Sequence, residues 1–216
     1  MKQSLVELNT GATMPLLGLG VYKMHGEVAE NAVLNALESG YRLIDTATSY
    51  NNEKEVGAAI RQSGVARNEV FVTTKVPNTN QGFDNTLRAF DNSLKALDIE
   101  YIDLYLVHWP LTATRKETWK AVERLYHEKQ VRSVGVANYL EPFLDELAGY
   151  SDLVPAVNQV EFSPFLYLSS LLEKCNQLGI RLQAYTPLVR GKKLEHPLLT
   201  ELAKKYLFLK FDISFM

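Results

Sequence analysis

The chain has 216 residues, of which 46% are hydrophobic and 22% charged, and its formal net charge is −2. This length suits one domain with a large core, and a near-neutral charge without a basic cluster argues against nucleic-acid or anionic-membrane partners. The single cysteine, Cys175, excludes an internal disulfide, and no apolar run is long enough to span a membrane. We therefore expect a cytoplasmic protein.

The predicted elements begin with a hairpin and continue as a regular alternation. Two short apolar stretches flank Asn9-Thr10-Gly11, a turn sequence that predicts a β-hairpin. Apolar runs then predict strands at 16–20, 41–45, 70–75, 101–107, 131–137, 156–160 and 180–185. Helical periodicity predicts helices at 28–39, 53–61, 85–97, 118–129, 140–148 and 168–178.

Strands that alternate with helices indicate a parallel α/β sheet, which either stays open or closes into a barrel. An open doubly wound sheet is expected to carry Gly-x-Gly-x-x-Gly after an early strand. Here Gly18 and Gly20 are followed by Lys23 where the third glycine belongs. A (β/α)8 barrel is therefore favoured, although its eighth unit is missing.

Polar or aromatic side chains stand at the carboxyl ends of the predicted strands, where α/β enzymes hold ligands and catalytic groups. They are Asp45, Lys75, His108, Asn138, Gln159 and Tyr185. Each alone has an ordinary structural explanation, such as a turn aspartate or a lysine that reaches water. Together they predict one site. Tyr50 follows Asp45 closely in the sequence, so its side chain is expected to reach the same end of the barrel.

The predicted chemistry follows from these charges. A cation favours phenolate, so Lys75 is expected to lower the pKa of Tyr50, while Asp45 pairs with the ammonium. His108 is expected to orient a carbonyl by donating a hydrogen bond. The set holds no nucleophile–base pair and no histidine-rich metal cluster, so it predicts a proton donor to an alkoxide. An oxygen that needs a proton implies a carbon that has taken a hydride, and hydride transfer requires a cofactor.

Six segments of the chain resemble segments of the aldo-keto reductases, in the order and with the spacing of that family. They are residues 45–50, 71–75, 103–110, 135–139, 158–161 and 184–188. The resemblance runs from about residue 5 to residue 206. It implies a (β/α)8 TIM barrel of aldo-keto reductase type, without the last β/α unit, that reduces aldehydes and ketones with NADPH.

The resemblance also implies a role for each residue. Tyr50 is the expected general acid, tuned by Asp45 and Lys75, and His108 orients the substrate carbonyl. Cofactor contacts are expected from Gly20, Val21, Asp45, Asn138, Gln159, Tyr185, Thr186 and Leu188. Substrate contacts are expected from Tyr22, Tyr50, His108 and Trp109, with plain aromatic packing as the other explanation for Tyr22 and Trp109. No metal is expected.

Two features depart from the family pattern. Ala137 stands where the family usually has a serine that helps to hold the nicotinamide carboxamide. After residue 206 the resemblance ends, so we expect an incomplete barrel with its hairpin at 1–206 and a divergent tail at 207–216. Residues 207–211 are a weaker candidate for a makeshift strand. We interpret the tail as a foreign ending, as from an alternative exon or a frameshift, on a protein whose longer form is the enzyme.

Two other functions remain open from the sequence. The first is a truncated, catalytically impaired chain that acts through protein binding, because an unclosed barrel edge favours self-association even though the family implies a monomer. The second is a barrel isomerase or aldolase with Lys75 as a Schiff base, which leaves Asp45 and Tyr50 without a clear task.

Overall fold

The computed structural model describes residues 3–206. The N-terminal hairpin pairs β1 (Leu5–Glu7) with β2 (Thr13–Pro15) in antiparallel register, as the turn sequence predicted. The tail at 207–216, with its candidate strand at 207–211, lies outside the described residues.

Seven parallel strands follow the hairpin, and their order across the sheet is their order along the chain. They are β3 (Leu19–Gly20), β4 (Leu43–Asp45), β5 (Phe71–Val76), β6 (Ile102–Val107), β7 (Val131–Ala137), β8 (Val157–Glu161) and β9 (Arg181–Tyr185). A doubly wound sheet reverses its strand order at a switch point, whereas a barrel runs in sequence. The strands form a nearly closed barrel, which confirms the predicted fold class.

Seven α-helices lie in the described part of the chain. They are α1 (Gly26–Glu38), α2 (Glu53–Gln62), α3 (Phe83–Leu97), α4 (Arg115–His127), α5 (Glu141–Ala148), α6 (Ser169–Leu178) and α7 (Pro197–Tyr206). Between residues 3 and 206 no helix combines the length and the apolar character needed to cross a membrane.

Two predicted boundaries differ from the structure by three residues, and the others by no more than two. The strand predicted at 16–20 shortens to Leu19–Gly20, because the Leu16 amide donates to the Ser4 carbonyl and so extends the hairpin. Helix α4 begins three residues before its predicted start at Thr118. Its first turn is polar and exposed to solvent on one side, so apolar periodicity gives no sign of it.

The barrel interior is filled by apolar side chains, and the hairpin closes its amino-terminal end. The inner cluster includes Leu43, Phe71, Leu104, Leu106, Ala137 and Val157, joined by Leu8 and Met14 from the hairpin. The hairpin is anchored by the Thr10 and Ser133 hydroxyls, 2.8 Å apart, and by Asn9 Nδ2, which donates to the Pro155 carbonyl at 3.1 Å. The opposite, carboxyl-terminal end therefore remains as the mouth of the barrel.

Candidate active site

A buried ion pair stands at the carboxyl end of two adjacent strands. Asp45 ends β4, and Lys75 lies on β5 with only 1% of its surface exposed. The Lys75 ammonium donates to Asp45 Oδ1 at 2.6 Å and to the Thr46 carbonyl at 2.8 Å. A buried ammonium is stable only when paired and hydrogen-bonded, so Asp45 holds this charge in place.

Tyr50 and His108 lie against this pair. Tyr50 ends a one-turn 3-10 helix, Thr48–Tyr50, and its ring centroid is 5.1 Å from Lys75 Nζ. His108 follows the last residue of β6, and its ring meets the Tyr50 ring edge-on, with centroids 5.9 Å apart. The Tyr22 ring also lies against the Tyr50 ring, with centroids 5.0 Å apart. The structure thus brings the four predicted catalytic residues together at one mouth.

His108 is neutral at physiological pH. Burial, reinforced by the nearby Lys75 charge, lowers the pKa of His108 to about 4. The Ser49 hydroxyl lies 3.4 Å from Nδ1, which leaves Nε2 as the other polar group of the ring. A neutral imidazole with a free N–H donates a hydrogen bond to a carbonyl without transferring a charge.

The expected lowering of the Tyr50 pKa was wrong in direction. Burial, followed by the negative charge of Asp45, raises the pKa of Tyr50 well above its usual value. Burial is the larger cause, and the Lys75 ammonium, which is paired with Asp45 at 2.6 Å, does not outweigh it. The phenol therefore keeps its proton at neutral pH.

Two amides extend the site along the neighbouring strands. Gln159 Nε2 donates to Asp45 Oδ2 at 2.7 Å and to Gln183 Oε1 at 2.8 Å. Because both N–H groups face acceptors, the Gln159 carbonyl oxygen is the part left for a ligand. Asn138 Nδ2 donates to the His108 carbonyl at 2.9 Å, and the Tyr185 hydroxyl donates to Asn138 Oδ1 at 3.0 Å. The amides are thereby held in fixed orientations beside the ion pair.

The other residues expected to contact ligands differ in their surroundings. A side chain at Gly20 would meet no atom within 4 Å, so there is open space at the end of β3. Val21 is fully buried and donates its amide to the Asp45 carbonyl, so its contribution is to hold the loop. Tyr22 and Trp109 are 56% and 44% exposed, which leaves both rings available at the rim.

The loop after β9 carries the last two residues expected to contact the cofactor. Thr186 has a left-handed φ of 51°, and its hydroxyl donates to Glu161 Oε1 at 3.4 Å. Leu188 is half-buried and directly precedes the following 3-10 turn. Both lie beside the Tyr185 end of the site.

Sequence reasoning missed two buried polar residues directly behind the site. Asn52, fully buried, accepts from the Thr46 hydroxyl at 2.6 Å and donates to the Val21 and Met24 carbonyls, both at 2.9 Å. Glu53, 6% exposed, accepts from the Thr74 hydroxyl at 2.6 Å. At the start of a helix, asparagine and glutamate read as capping residues, so the sequence gives no sign that they are buried.

The chain is similar in sequence to proteins of one known family. The sequence model of the aldo/keto reductase family matches residues 16–197, which include every residue expected in the site. The chain is 46% identical over 202 residues to a glyoxal reductase of Bacillus subtilis, covering 93% of this chain and 73% of that protein.

Solved structures give the same result. An aldo/keto reductase from Brucella melitensis superposes with a TM-score of 0.95 at 42% identity, over 99% of this chain and 83% of that one. An aldo-keto reductase from Bombyx mori, in complex with NADP, superposes with a TM-score of 0.91 at 33% identity, over 99% and 79%.

Proposed function

The chain belongs to the aldo/keto reductase family, and on that premise we propose that it reduces aldehydes and ketones to alcohols with NADPH. The observation that carries the proposal is the buried Lys75–Asp45 ion pair beside the Tyr50 ring, within reach of a neutral His108. This set suits the delivery of one proton to a developing alkoxide.

Tyr50 is the proposed proton donor. Its pKa is raised by burial and by Asp45, so the phenol is fully protonated at neutral pH. An alkoxide is a much stronger base than a phenolate, and the proton therefore moves from Tyr50 to the substrate oxygen. The phenolate that remains lies beside the Lys75 ammonium, 5.1 Å from the ring centroid, and this cation stabilises the new negative charge.

His108 is the proposed orienting residue. Its pKa of about 4 keeps the imidazole neutral, so it does not compete with Tyr50 as an acid. The ring stands edge-on to the Tyr50 ring, so a carbonyl oxygen placed between the two would accept a hydrogen bond from each. Two donors on one oxygen fix the angle at which the carbonyl carbon faces the nicotinamide.

The residues at the mouth fit a nicotinamide cofactor. The fixed Gln159 carbonyl oxygen is a hydrogen-bond acceptor for the carboxamide N–H, and the Asn138 amide lies one strand away. Tyr185 offers an aromatic ring, and the open space at Gly20 leaves room at the end of β3. When bound, NADPH supplies the hydride, and the NADP complex of the Bombyx mori relative supports this choice of cofactor.

The substrate is proposed to be a small carbonyl compound. The Bacillus subtilis relative is a glyoxal reductase, which makes short dicarbonyls the first compounds to test. Tyr22 and Trp109 are exposed at the rim, where flat aromatic faces suit contact with the remainder of the substrate.

The other two functions have weaker support. A role in protein binding alone is not favoured, because the family match includes all four proposed catalytic residues: Asp45, Tyr50, Lys75 and His108. A Schiff-base mechanism is not favoured either, because the Lys75 amine is engaged as an ammonium by Asp45 at 2.6 Å and is not free to attack a carbonyl.

The test is turnover by the purified chain and by its Tyr50→Phe variant. With NADPH and glyoxal or a simple aldehyde, we expect the wild type to form one alcohol for each NADPH consumed. Tyr50→Phe is expected to lose at least about 1,000-fold in kcat, while its affinity for NADPH changes by less than about threefold. Retained turnover in Tyr50→Phe would refute the assignment of the proton donor.

A further inference from the structure

Glu53 is a buried acid for which the reaction described above has no use. It is the first residue of α2 and is 6% exposed. Burial raises the pKa of its carboxyl group, while surrounding hydroxyls and the Lys75 charge act in the opposite direction. A buried carboxyl group is costly unless its oxygens are hydrogen-bonded, so these partners account for its presence.

The hydroxyl groups around Glu53 belong to the two segments that carry Tyr50 and Lys75. Thr74, the neighbour of Lys75 on β5, donates to Glu53 Oε1 at 2.6 Å. The Ser93 hydroxyl is a second hydrogen-bond partner of the carboxyl group, and the Thr48 hydroxyl lies 2.9 Å from Ser93 Oγ. Glu53 therefore joins a strand, a helix and the turn before Tyr50 at one point.

Thr48 is the link between Glu53 and the proposed acid. It begins the 3-10 turn that ends at Tyr50, and its hydroxyl lies 2.9 Å from Ser93 Oγ. The same hydroxyl donates to the Lys75 carbonyl at 3.2 Å. A shift of Thr48 therefore moves the turn that carries Tyr50 relative to β5, the strand that carries Lys75.

We propose that Glu53 is a positioning residue, whose carboxyl group accepts hydrogen bonds from Thr74 and Ser93 and, through the contact of Ser93 with Thr48, fixes Tyr50 relative to Lys75. The inference rests on the proposed function, in which proton transfer from Tyr50 depends on that alignment. A displacement of about 1 Å at a reacting group costs about 100-fold in rate, so a buried support behind the turn has a direct effect on turnover.

Glu53 is proposed to act through the geometry of its hydrogen bonds rather than through its charge. Glu53→Gln keeps an acceptor for Thr74 and adds a donor that the Ser93 oxygen accepts. We expect its kcat to stay within about threefold of the wild type. Glu53→Ala removes every bond and is expected to lower kcat by about 10- to 100-fold, with a much smaller change in KM.

Two more variants separate positioning from a general loss of stability. Thr48→Val preserves shape but removes the link to the turn, and it is expected to reproduce the loss in kcat even if Glu53→Ala does not fold. Ser133→Ala is the matched control, because Ser133 is fully buried and hydrogen-bonded to Thr10 at the opposite end of the barrel. It is expected to leave kcat within about twofold of the wild type, whatever its effect on stability.

Hydrogen–deuterium exchange gives a readout that does not depend on activity. The amides of Tyr50 and Asn51 donate to Ala47 and Thr48, so they report whether the turn is held. We expect exchange in a peptide covering 47–52 to rise at least about fivefold in Glu53→Ala and Thr48→Val, and to stay unchanged in Glu53→Gln and Ser133→Ala.

Two results would overturn the inference. One is unchanged exchange of this peptide in both Glu53→Ala and Thr48→Val. The other is a Glu53→Gln variant as impaired in kcat as Glu53→Ala, since the charge and not the hydrogen bonds would then be responsible. An inactive wild-type chain would count against the proposed function, whereas the exchange rates would still decide whether Glu53 holds the turn.

Discussion

Lys75 connects the chemistry of the site to its stability, because one ammonium serves both. It is 1% exposed, and its ion pair with Asp45 is the only close charge pairing of either residue within the described residues 3–206. Asp45 is also held by Gln159, so the charge is fixed from three strands at once. At the scale of residues, the site is therefore the Lys75 ammonium, paired with the Asp45 carboxylate and lying next to the Tyr50 ring.

Removal of the ammonium is expected to reduce stability as well as turnover. Lys75→Met leaves the Asp45 carboxylate without its counter-charge, at a cost of about 3 kcal/mol in the free energy of unfolding. In the double variant Asp45→Asn/Lys75→Met, most of that loss is expected to be recovered while activity stays absent. Urea unfolding of the two single variants and the double variant measures this, and additive losses would contradict the pairing.

The protonation of His108 makes a prediction about pH. Its pKa is lowered from 6.5 to about 4, so the unfolded chain binds more protons than the folded chain between these values. The neutral imidazole therefore contributes stability above pH 6.5, and this contribution is lost as the pH falls towards 4. In NMR titration, the resonance absent from His108→Gln is expected to shift near pH 4, and a midpoint near 6.5 would contradict the burial described here.

The site residues could be predicted from the sequence where the carboxyl end of their strand could be predicted. An apolar run that stops at His108, or at Asp45, marks a carboxyl end, and parallel strands bring such ends together. The direction of the Tyr50 pKa shift could not be predicted in this way, because it depends first on how deeply the phenol is buried and then on the Asp45 charge. Glu53 was missed because its hydrogen-bond partner Thr74 is distant in sequence, and its burial is not visible from its neighbours in the helix.

At the scale of elements, α2 and α3 approach each other so closely that one position requires glycine. A side chain at Gly57 would place its Cβ 1.8 Å from the Leu97 carbonyl oxygen. Gly57 lies inside α2, where helix propensity alone makes alanine more stable by about 1 kcal/mol. The contact with α3 reverses that preference.

Gly57→Ala is therefore expected to destabilise the protein by at least about 2 kcal/mol, because α2 or α3 must move apart to admit the methyl group. The midpoint of urea unfolding measures this loss. Asn92→Ala, at an exposed position on α3, serves as the control and is expected to change stability by less than about 0.5 kcal/mol. A stabilised Gly57→Ala variant would show that the helices are not in contact at this point.

The order and type of the elements followed from the sequence because most strands are rich in apolar residues and are followed by glycine, proline or a polar residue. All residues of β5 and β6 are buried, which is the environment that such runs predict. The short length of β3 could not be predicted, because it is set by hydrogen bonding to the hairpin. The start of α4 could not be predicted either, because its first turn is polar.

At the scale of the whole molecule, the mouth of the barrel collects groups from strands that are far apart in the sequence. The Gln159–Asp45 contact joins residues 114 positions apart, and the Tyr185–Asn138 contact joins residues 47 apart. Strand β9 is more exposed than β5 or β6, with Arg181 and Ala184 open to solvent. The site is therefore a property of the assembled barrel, and no single β/α unit contains it.

The most direct measurement is the fate of the hydride. NADPH that carries deuterium at the transferable position is mixed with the purified chain and a small aldehyde, and the alcohol is analysed by mass spectrometry. The account predicts one deuterium on the carbinol carbon of each alcohol formed by the wild type, and no alcohol from Tyr50→Phe. Alcohol without deuterium, or no alcohol from a folded chain saturated with NADPH, would contradict it.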